Sequence, residues 1–488
     1  MIGHLRRLFK HSVLYGLSET ISRGTGFVLI YIYTHGLLTA NEIGIRTLLY
    51  AASAFIGLLY TFGLDNSFLR YFMDEDYKSR KKTILSTSLF FTVLTGLIFF
   101  SFSMIFGNFL STQITASGSY SYLTNLVFLI LILDTVVIYP MLILRAENRF
   151  VYYTLISFTR FVLFILLNFL LIKYMGRGVN GVFEANIIVV LIVFILLFPV
   201  IKENIVKSVS FSLLKKMLYF GIPTIFTIFA MRILDFSDRR IIVHFFDNKS
   251  VGEYSVAYSL GMVGIMVFVN SFRTAWQPFF LELKKKPEAK DVFAKVATYY
   301  AVFIGLVYLG MVLFREEIFR FYASESYDIS LANIVPFVAL AYVIFGFYII
   351  MLPGVFFKDK TVFLPVASLT GAFINIVLNI ILVPKLGIMG AAYTTVIGYF
   401  IMLAILYNLS CRIYKIRYEL GRIFLAAVFT GFPVLLYEIY QPEGMLLEFA
   451  YRLILLIIPP VLYLSTGFLH PAEKKYLTGL VKKLLKIK

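Results

Sequence analysis

Cysteine is almost absent: Cys411 is the only one in 488 residues, so no disulfide framework, CxxC redox pair or thiolate metal site can be assembled. The five histidines (His4, His11, His35, His244 and His470) are scattered, without the spacing a metal site needs. No GxxxxGK(S/T) loop is present to cradle a nucleotide, and no cofactor is expected. Charge is thin as well. Only 15% of residues are Asp, Glu, Lys or Arg, against about a quarter in a typical soluble domain.

What fills the chain instead is apolar. Hydrophobic residues make up 60%, with 51 Phe and 33 Tyr, and mean hydropathy is +0.86. A soluble fold could not bury that much apolar surface, whereas lipid-facing helices with ring-bearing ends at the headgroups can use it. The formal net charge is +18 and the pI about 9.6. In a soluble protein that balance would suggest nucleic acid. Here the charges lie between apolar runs, so membrane lipids are the expected partner and nucleic acid is not.

A helix crossing the hydrocarbon core needs roughly 20 apolar residues. That window predicts about fourteen spans: residues 13–35, 43–63, 83–106, 123–144, 151–172, 181–201, 217–240, 251–272, 296–314, 334–356, 362–383, 388–407, 423–440 and 449–468. The basic start, residues 1–10, leads into an uncleaved first span, since no small-residue cleavage site follows it. With the N-terminus inside, the inner segments retain most of the 45 Lys and Arg. Both termini are therefore expected in the cytoplasm. The longest connections, 65–82 and 273–295, read as charged inner loops, and no outer loop is long enough for a catalytic domain. Trp276, in RTAWQPFF, reads as an interface anchor, and the tail KKYLTGLVKKLLKIK as a basic amphipathic helix on the inner leaflet.

The second half repeats the first. PMLILRAENRF from Pro140 parallels PGVFFKDKTVF from Pro353; Asn168 matches Asn379, Gly181 matches Gly390, His35 matches His244 and Gly44 matches Gly252, all in collinear order. The repeat covers six spans, an even number, so both copies enter the membrane from the same side. This predicts an all-α membrane protein with two six-helix lobes, 1–210 and 211–410, related by an axis along the membrane normal. Two additional spans (411–470) and a basic cytoplasmic tail (471–488) follow. Two lobes rocking around a midplane cavity are the machinery of alternating access, and this is the structural argument for transport.

Charges inside spans sharpen it. An intramembrane Arg costs at least about 2.5 to 3.5 kcal/mol on insertion scales, so it normally faces a cavity or a partner. Arg23 and Arg232 each precede their span's histidine by twelve residues and are repeat-equivalent. Arg46, Arg160, Arg239 and Arg273 extend the set of candidate cavity cations. The competing structural reading is neutralisation along one helix, since Glu19 and Arg23, like Asp235 and Arg239, are spaced i, i+4. Arginines still outnumber the acids on spans one, two, five and seven, which favours an anionic, phosphate-bearing cargo. Asp134, Glu184 and Asp238, with Glu19 and Asp235, are candidates for ion coupling or for pairing helices. Pro223, Pro336 and Pro353 are candidate breaks in their spans.

Three stretches resemble one family: LTANEIGIRTLLYAASAFIGLLYTFGLDNSFLRYF, YFGIPTIFTIFAMRILDFSDRRIIVHFFDNKSVGEYSVAYSLG, with Ser237, Asp238 and Arg239 as an SDR element, and VPKLGIMGAAYTTVIGY. They are similar to bacterial polysaccharide exporters, the O-antigen and exopolysaccharide flippases, which share a superfamily with lipid II flippases and multidrug extruders. The resemblance implies a bacterial inner-membrane flippase for an undecaprenyl-diphosphate-linked oligosaccharide, with a cationic central cavity and other polysaccharide-assembly proteins as possible partners. It also places Arg23, Arg46 and Arg273 on spans where such flippases carry cavity arginines. A multidrug extruder of the same superfamily, coupled to proton or sodium, is the alternative. A membrane glycosyltransferase or polymerase fits less well, because it would leave the repeat unexplained; no enzymatic activity is expected.

Overall fold

A computed structural model describes residues 28–474 apart from Lys285, Asp359 and Ala472. Among the described residues the structure is all helical, without a strand. The helices are α1 (Val28–Leu37), α2 (Ala40–Thr61), α3 (Leu64–Met73), α4 (Lys81–Thr115), α5 (Ser121–Ala146), α6 (Phe150–Phe169), α7 (Gly178–Asn204), α8 (Phe211–Phe245) and α9 (Asn248–Leu283). Then come α10 (Ala289–Leu313), α11 (Arg315–Tyr322), α12 (Ile334–Ile350), α13 (Leu352–Phe357), α14 (Phe363–Leu386), α15 (Ile388–Ile413), α16 (Leu420–Ile439) and α17 (Met445–Ser465).

Twelve helical segments among the described residues are long and apolar enough to cross a bilayer. The chain is a multi-pass membrane protein. The expected first span lies mostly outside the described residues, and the basic tail from 475 onward lies outside them entirely. The expected span 217–240 falls inside α8, whose 35 residues measure about 52 Å at 1.5 Å per residue, more than a bilayer core.

Two expectations change, and the candidate break at Pro353 is present. Residues 65–82 are not an open loop: α3 occupies much of the connection, because Leu64, Phe68 and Phe72 recur on one helical face and are buried. The long span at 334–356 is two helices, α12 and α13, separated at Met351, with Pro353 in the first turn of α13. Trp276 is not an interface anchor, being only 3% exposed. Proline supplies the reason. Pro353 has no N–H for the carbonyl four residues back, and the Trp276 indole donates to that Ile349 oxygen at 3.2 Å instead. Phe272, Phe280 and Phe293 surround the ring.

The chain divides into two compact units. One runs to Val256 and adds Tyr322–Tyr327 and Ala372–Thr394; the other comprises Ala257–Phe321, Asp328–Gly371 and the chain from Thr395 onward. In the first unit α5 packs on α4 and α7 around Phe68, Phe72, Tyr139, Ile143 and Leu197. A second device is close backbone approach. A Cβ on Gly44 would overlap the Asn248 carbonyl, and one on Gly252 would overlap that of Ala40. The repeat-matched glycines thus form a reciprocal crossing of α2 on α9, the kind of contact that small residues permit in membrane helices.

In the second unit, α16 packs on α10 and α17. Ionic clusters fasten both ends of α16. Arg315 bonds Glu438 at 2.6 Å at one end, where Arg452 also bonds Glu317, Glu448 and the Tyr437 hydroxyl. At the other end Arg422 bonds Glu419 at 2.8 Å and Glu473 at 2.7 Å, while Thr298 and Tyr299 of α10 donate to the same two carboxylates.

Candidate functional site

A cavity of about 590 Å³ opens within the first unit, lined from α1, α2, α5, α6 and α7. Arg46 and Tyr50 reach it from α2, one helical turn apart, which puts them on the same face. Thr39 starts α2 with a capping box: its hydroxyl accepts from the Glu42 N–H while Glu42 accepts from the Thr39 N–H. The other Glu42 carboxylate oxygen accepts from the Val179 N–H at 3.0 Å and so ties the start of α7 to α2.

The arginines behave differently. Arg160 on α6 donates through Nη2 to Asp134 Oδ1 on α5 at 2.6 Å, a pair that lines the cavity with side chains 41% and 37% exposed. Arg46 has no ion pair among the described residues, and its Nε is buried without a hydrogen-bond partner. Tyrosine faces hold it. The guanidinium carbon lies 4.9 Å from the Tyr33 ring centre and 5.1 Å from that of Tyr50, a cation–π arrangement that leaves Nε without a partner. Both rings are positioned in turn: Tyr33 donates to the Asn168 side chain at 2.7 Å, and Asn186 donates to the Tyr50 hydroxyl at 3.2 Å. Two arginines against one aspartate leave the lining with one positive charge.

The structure therefore brings together Arg46, Arg160 and Asp134 out of the residues singled out in the sequence. Arg23 and Glu19 lie outside the described residues, as does the Asp235 side chain. Arg232 on α8 and Arg273 on α9 are exposed, and neither lines this cavity. Arg239 is buried elsewhere on α8. Glu184 is held by Arg177 and accepts from the Tyr122 hydroxyl at 3.2 Å, away from the cavity. Outside the membrane segments, that partnership with Glu184 raises the Arg177 guanidinium above its ordinary value.

Asp238 occupies a different, closed environment. It is 2% exposed, accepts from the Asn379 amide at 2.6 Å and faces the Tyr254 hydroxyl at 3.4 Å. Asn379 also bonds Asn375 at 3.1 Å, and the Thr394 hydroxyl donates to it at 2.7 Å. The result is a buried set of oxygens on α8, α14 and α15. Among the described residues no group of three or more His, Cys, Asp or Glu could hold a metal ion. Sequence reasoning missed Tyr33, Tyr50 and Asn186, although Tyr50 was legible as the i+4 neighbour of Arg46. It also missed Asn375 and Thr394. Neutral residues on separate helices leave no spacing to read.

No curated protein matches the chain. Among solved structures, the lipid II flippase MurJ in an inward closed conformation is similar, with 17% identity and a TM-score of 0.65 over 89% of this chain and 99% of that one. An inward-facing multidrug resistance transporter of the MATE family and MOP superfamily gives 17% and 0.56, covering 86% of this chain and 96% of its own. An outward-facing one gives 16% and 0.58, covering 84% and 96%. At such identities these likenesses establish a shared fold. The family follows from the sequence itself: residues 8–284, more than half of the chain, match the model of the polysaccharide biosynthesis proteins, and the chain belongs to that family.

Proposed function

We propose that the protein is a flippase that exports an undecaprenyl-diphosphate-linked oligosaccharide across a bacterial inner membrane, with both termini in the cytoplasm. Its two halves, 1–210 and 211–410, alternate access to the cargo. The observation that carries this reading is Arg46: a cavity guanidinium packed between two tyrosines, with no carboxylate partner among the described residues and a buried unbonded Nε. Such a group in a low-dielectric wall suits the oxygens of a diphosphate. An inside-negative potential also favours outward movement of that anion, by roughly 2.3 kcal/mol per charge per 100 mV.

Asp238 is the acid whose surroundings suit ion coupling. Its carboxylate, with the oxygens of Asn375, Asn379 and Thr394 nearby, offers the hard ligands that small cations take. The multidrug-extruder reading draws on the shared fold and on the aromatic wall with Asp134. Against it, Arg160 already neutralises that carboxylate. The deciding experiment is flipping of a fluorescent undecaprenyl-diphosphate oligosaccharide in liposomes. Arg46→Ala should reduce the rate at least about tenfold, the equivalent of 1.4 kcal/mol. Drug or organic-cation transport by the wild type without any lipid flipping would replace this reading with the extruder.

A further inference from the structure

The Arg160–Asp134 pair has an odd placement for a structural ion pair. It joins α5 to α6 within a cavity, both partners remain accessible to it, and the unpaired Arg46 lines the same wall. An ion pair left this accessible adds little to helix packing, so joining α5 to α6 does not account for it. Here the carboxylate occupies a donor of Arg160 that an entering anion would use.

Charge counting says what entry of the cargo does. A diphosphate linking a lipid to a sugar is a diester with two negative charges, and Arg46 and Arg160 together carry two positive ones. An ionised Asp134 beside that complex is an uncompensated anion in an apolar wall, next to a like charge. Both conditions favour its neutral form. The neighbours offer nothing to offset this. Facing groups are Arg160 and Tyr153 from α6, Arg46, Tyr50 and Tyr60 from α2, and the neutral Asn186 from α7. α4 carries charge only at Lys81 and Lys82, at its start. On α3 the acid is Asp65, in electrostatic contact with Tyr139.

Building on the reading of the cavity as an anion site, we infer that Asp134 is a stand-in anion: the cargo's diphosphate displaces it from Arg160, and it takes up a proton as it leaves. The empty cavity then holds one net positive charge, and the loaded one is neutral with a protonated Asp134. Selectivity follows from this exchange. A singly charged phosphodiester is satisfied by Arg46 alone and leaves the Arg160–Asp134 pair in place, whereas a diphosphate opens it.

The test is titration calorimetry on the full-length protein in nanodiscs, using a short dialkyl diphosphate whose two charges are fixed. Repeating it in two buffers of different ionisation enthalpy counts protons directly on the wild type. The expected result is uptake of about one proton per ligand, with Kd rising up to about tenfold per pH unit. A dialkyl monophosphate should bind without uptake. Asp134→Asn should abolish uptake and the pH dependence and tighten diphosphate binding about tenfold, the carboxylate competitor being gone. Binding that is weakened by Arg46→Ala but proceeds without proton uptake in the wild type would overturn this inference and leave the cavity reading standing. Uptake that persists in Asp134→Asn would also overturn it. If the wild type binds no dialkyl diphosphate, both fall together.

Discussion

The start of α2 and the start of α9 resemble each other in sequence and differ at one position that matters. At the spacing that pairs Gly44 with Gly252, Arg46 corresponds to Tyr254 and Tyr50 to Tyr258. The glycines are kept in both copies because each must let the other helix's carbonyl approach. The following residues are free of that constraint. In the first copy the side chain is a guanidinium lining a cavity. In the second it is a tyrosine, 0% exposed, facing a buried aspartate, and the next tyrosine bonds Tyr342 at 2.8 Å. The matched glycines thus keep the contact between α2 and α9, while the guanidinium on α2 lines a cavity and its matched tyrosine on α9 is buried. A similar split holds for the matched asparagines. Asn168 receives the Tyr33 hydroxyl beside the cavity, while Asn379 serves the closed Asp238 cluster.

The strongest way to break this comparison is at what the copies share. Gly44→Val and Gly252→Val should be equally damaging, each on the order of 4 kcal/mol or more, because backbone rather than a flexible side chain occupies the space. Loss of monodisperse protein in both, measured by size-exclusion in detergent, is the expected outcome; tolerance of either would refute the reciprocal crossing. Next comes the position at which the copies differ. Arg46→Ala should cut lipid-linked saccharide flipping at least about tenfold. The matched Tyr254→Phe, which removes the hydroxyl 3.4 Å from Asp238, should stay within about twofold, near 0.4 kcal/mol. Equal losses would mean that the cavity has no special role.

Two smaller effects sharpen the account of the second unit. Trp276→Phe keeps the aromatic packing but removes the indole donor from the Ile349 carbonyl at the α12–α13 break, a cost of about 1 kcal/mol in thermal stability. If Pro353→Ala, which restores an N–H, fails to rescue that variant, the explanation is wrong. The ionic cluster at the α16 start should respond to acid. Burial pushes the Glu473 carboxyl upward, but Tyr299, the His470 N–H and Arg422 together hold it below its ordinary value. A depressed folded pKa stabilises above the unfolded value, about 4.3 for Glu, and that contribution disappears as pH falls through the folded one. The carboxyl is 14% exposed, and solvent screening keeps the effect near about 1 kcal/mol. Glu473→Gln should therefore flatten the acid limb of the stability profile below about pH 4.3, the ordinary Glu value.

Much was legible without coordinates. Apolar runs of about 20 residues announce membrane helices because lipid leaves the backbone no other solution. The collinear glycines and asparagines announced the repeat, and a guanidinium at Arg46 or Arg160 inside a span announced an unusual surrounding, since its burial is costly. What could not be read was pairing. Arg160 is neutralised from another helix, 26 residues away, while Arg46 is not, and no i, i+4 rule carries that information. The break before Pro353 was visible, but not that Trp276 closes it. Nor could spacing show that Asp238 is buried among neutral oxygens from α14 and α15. Sequence by itself determined which segments are apolar enough to enter the membrane, because hydrophobicity and periodicity are local properties. Only the tertiary structure decided which charges are spent on one another and which remain for a ligand, because that depends on distances between helices remote in the chain.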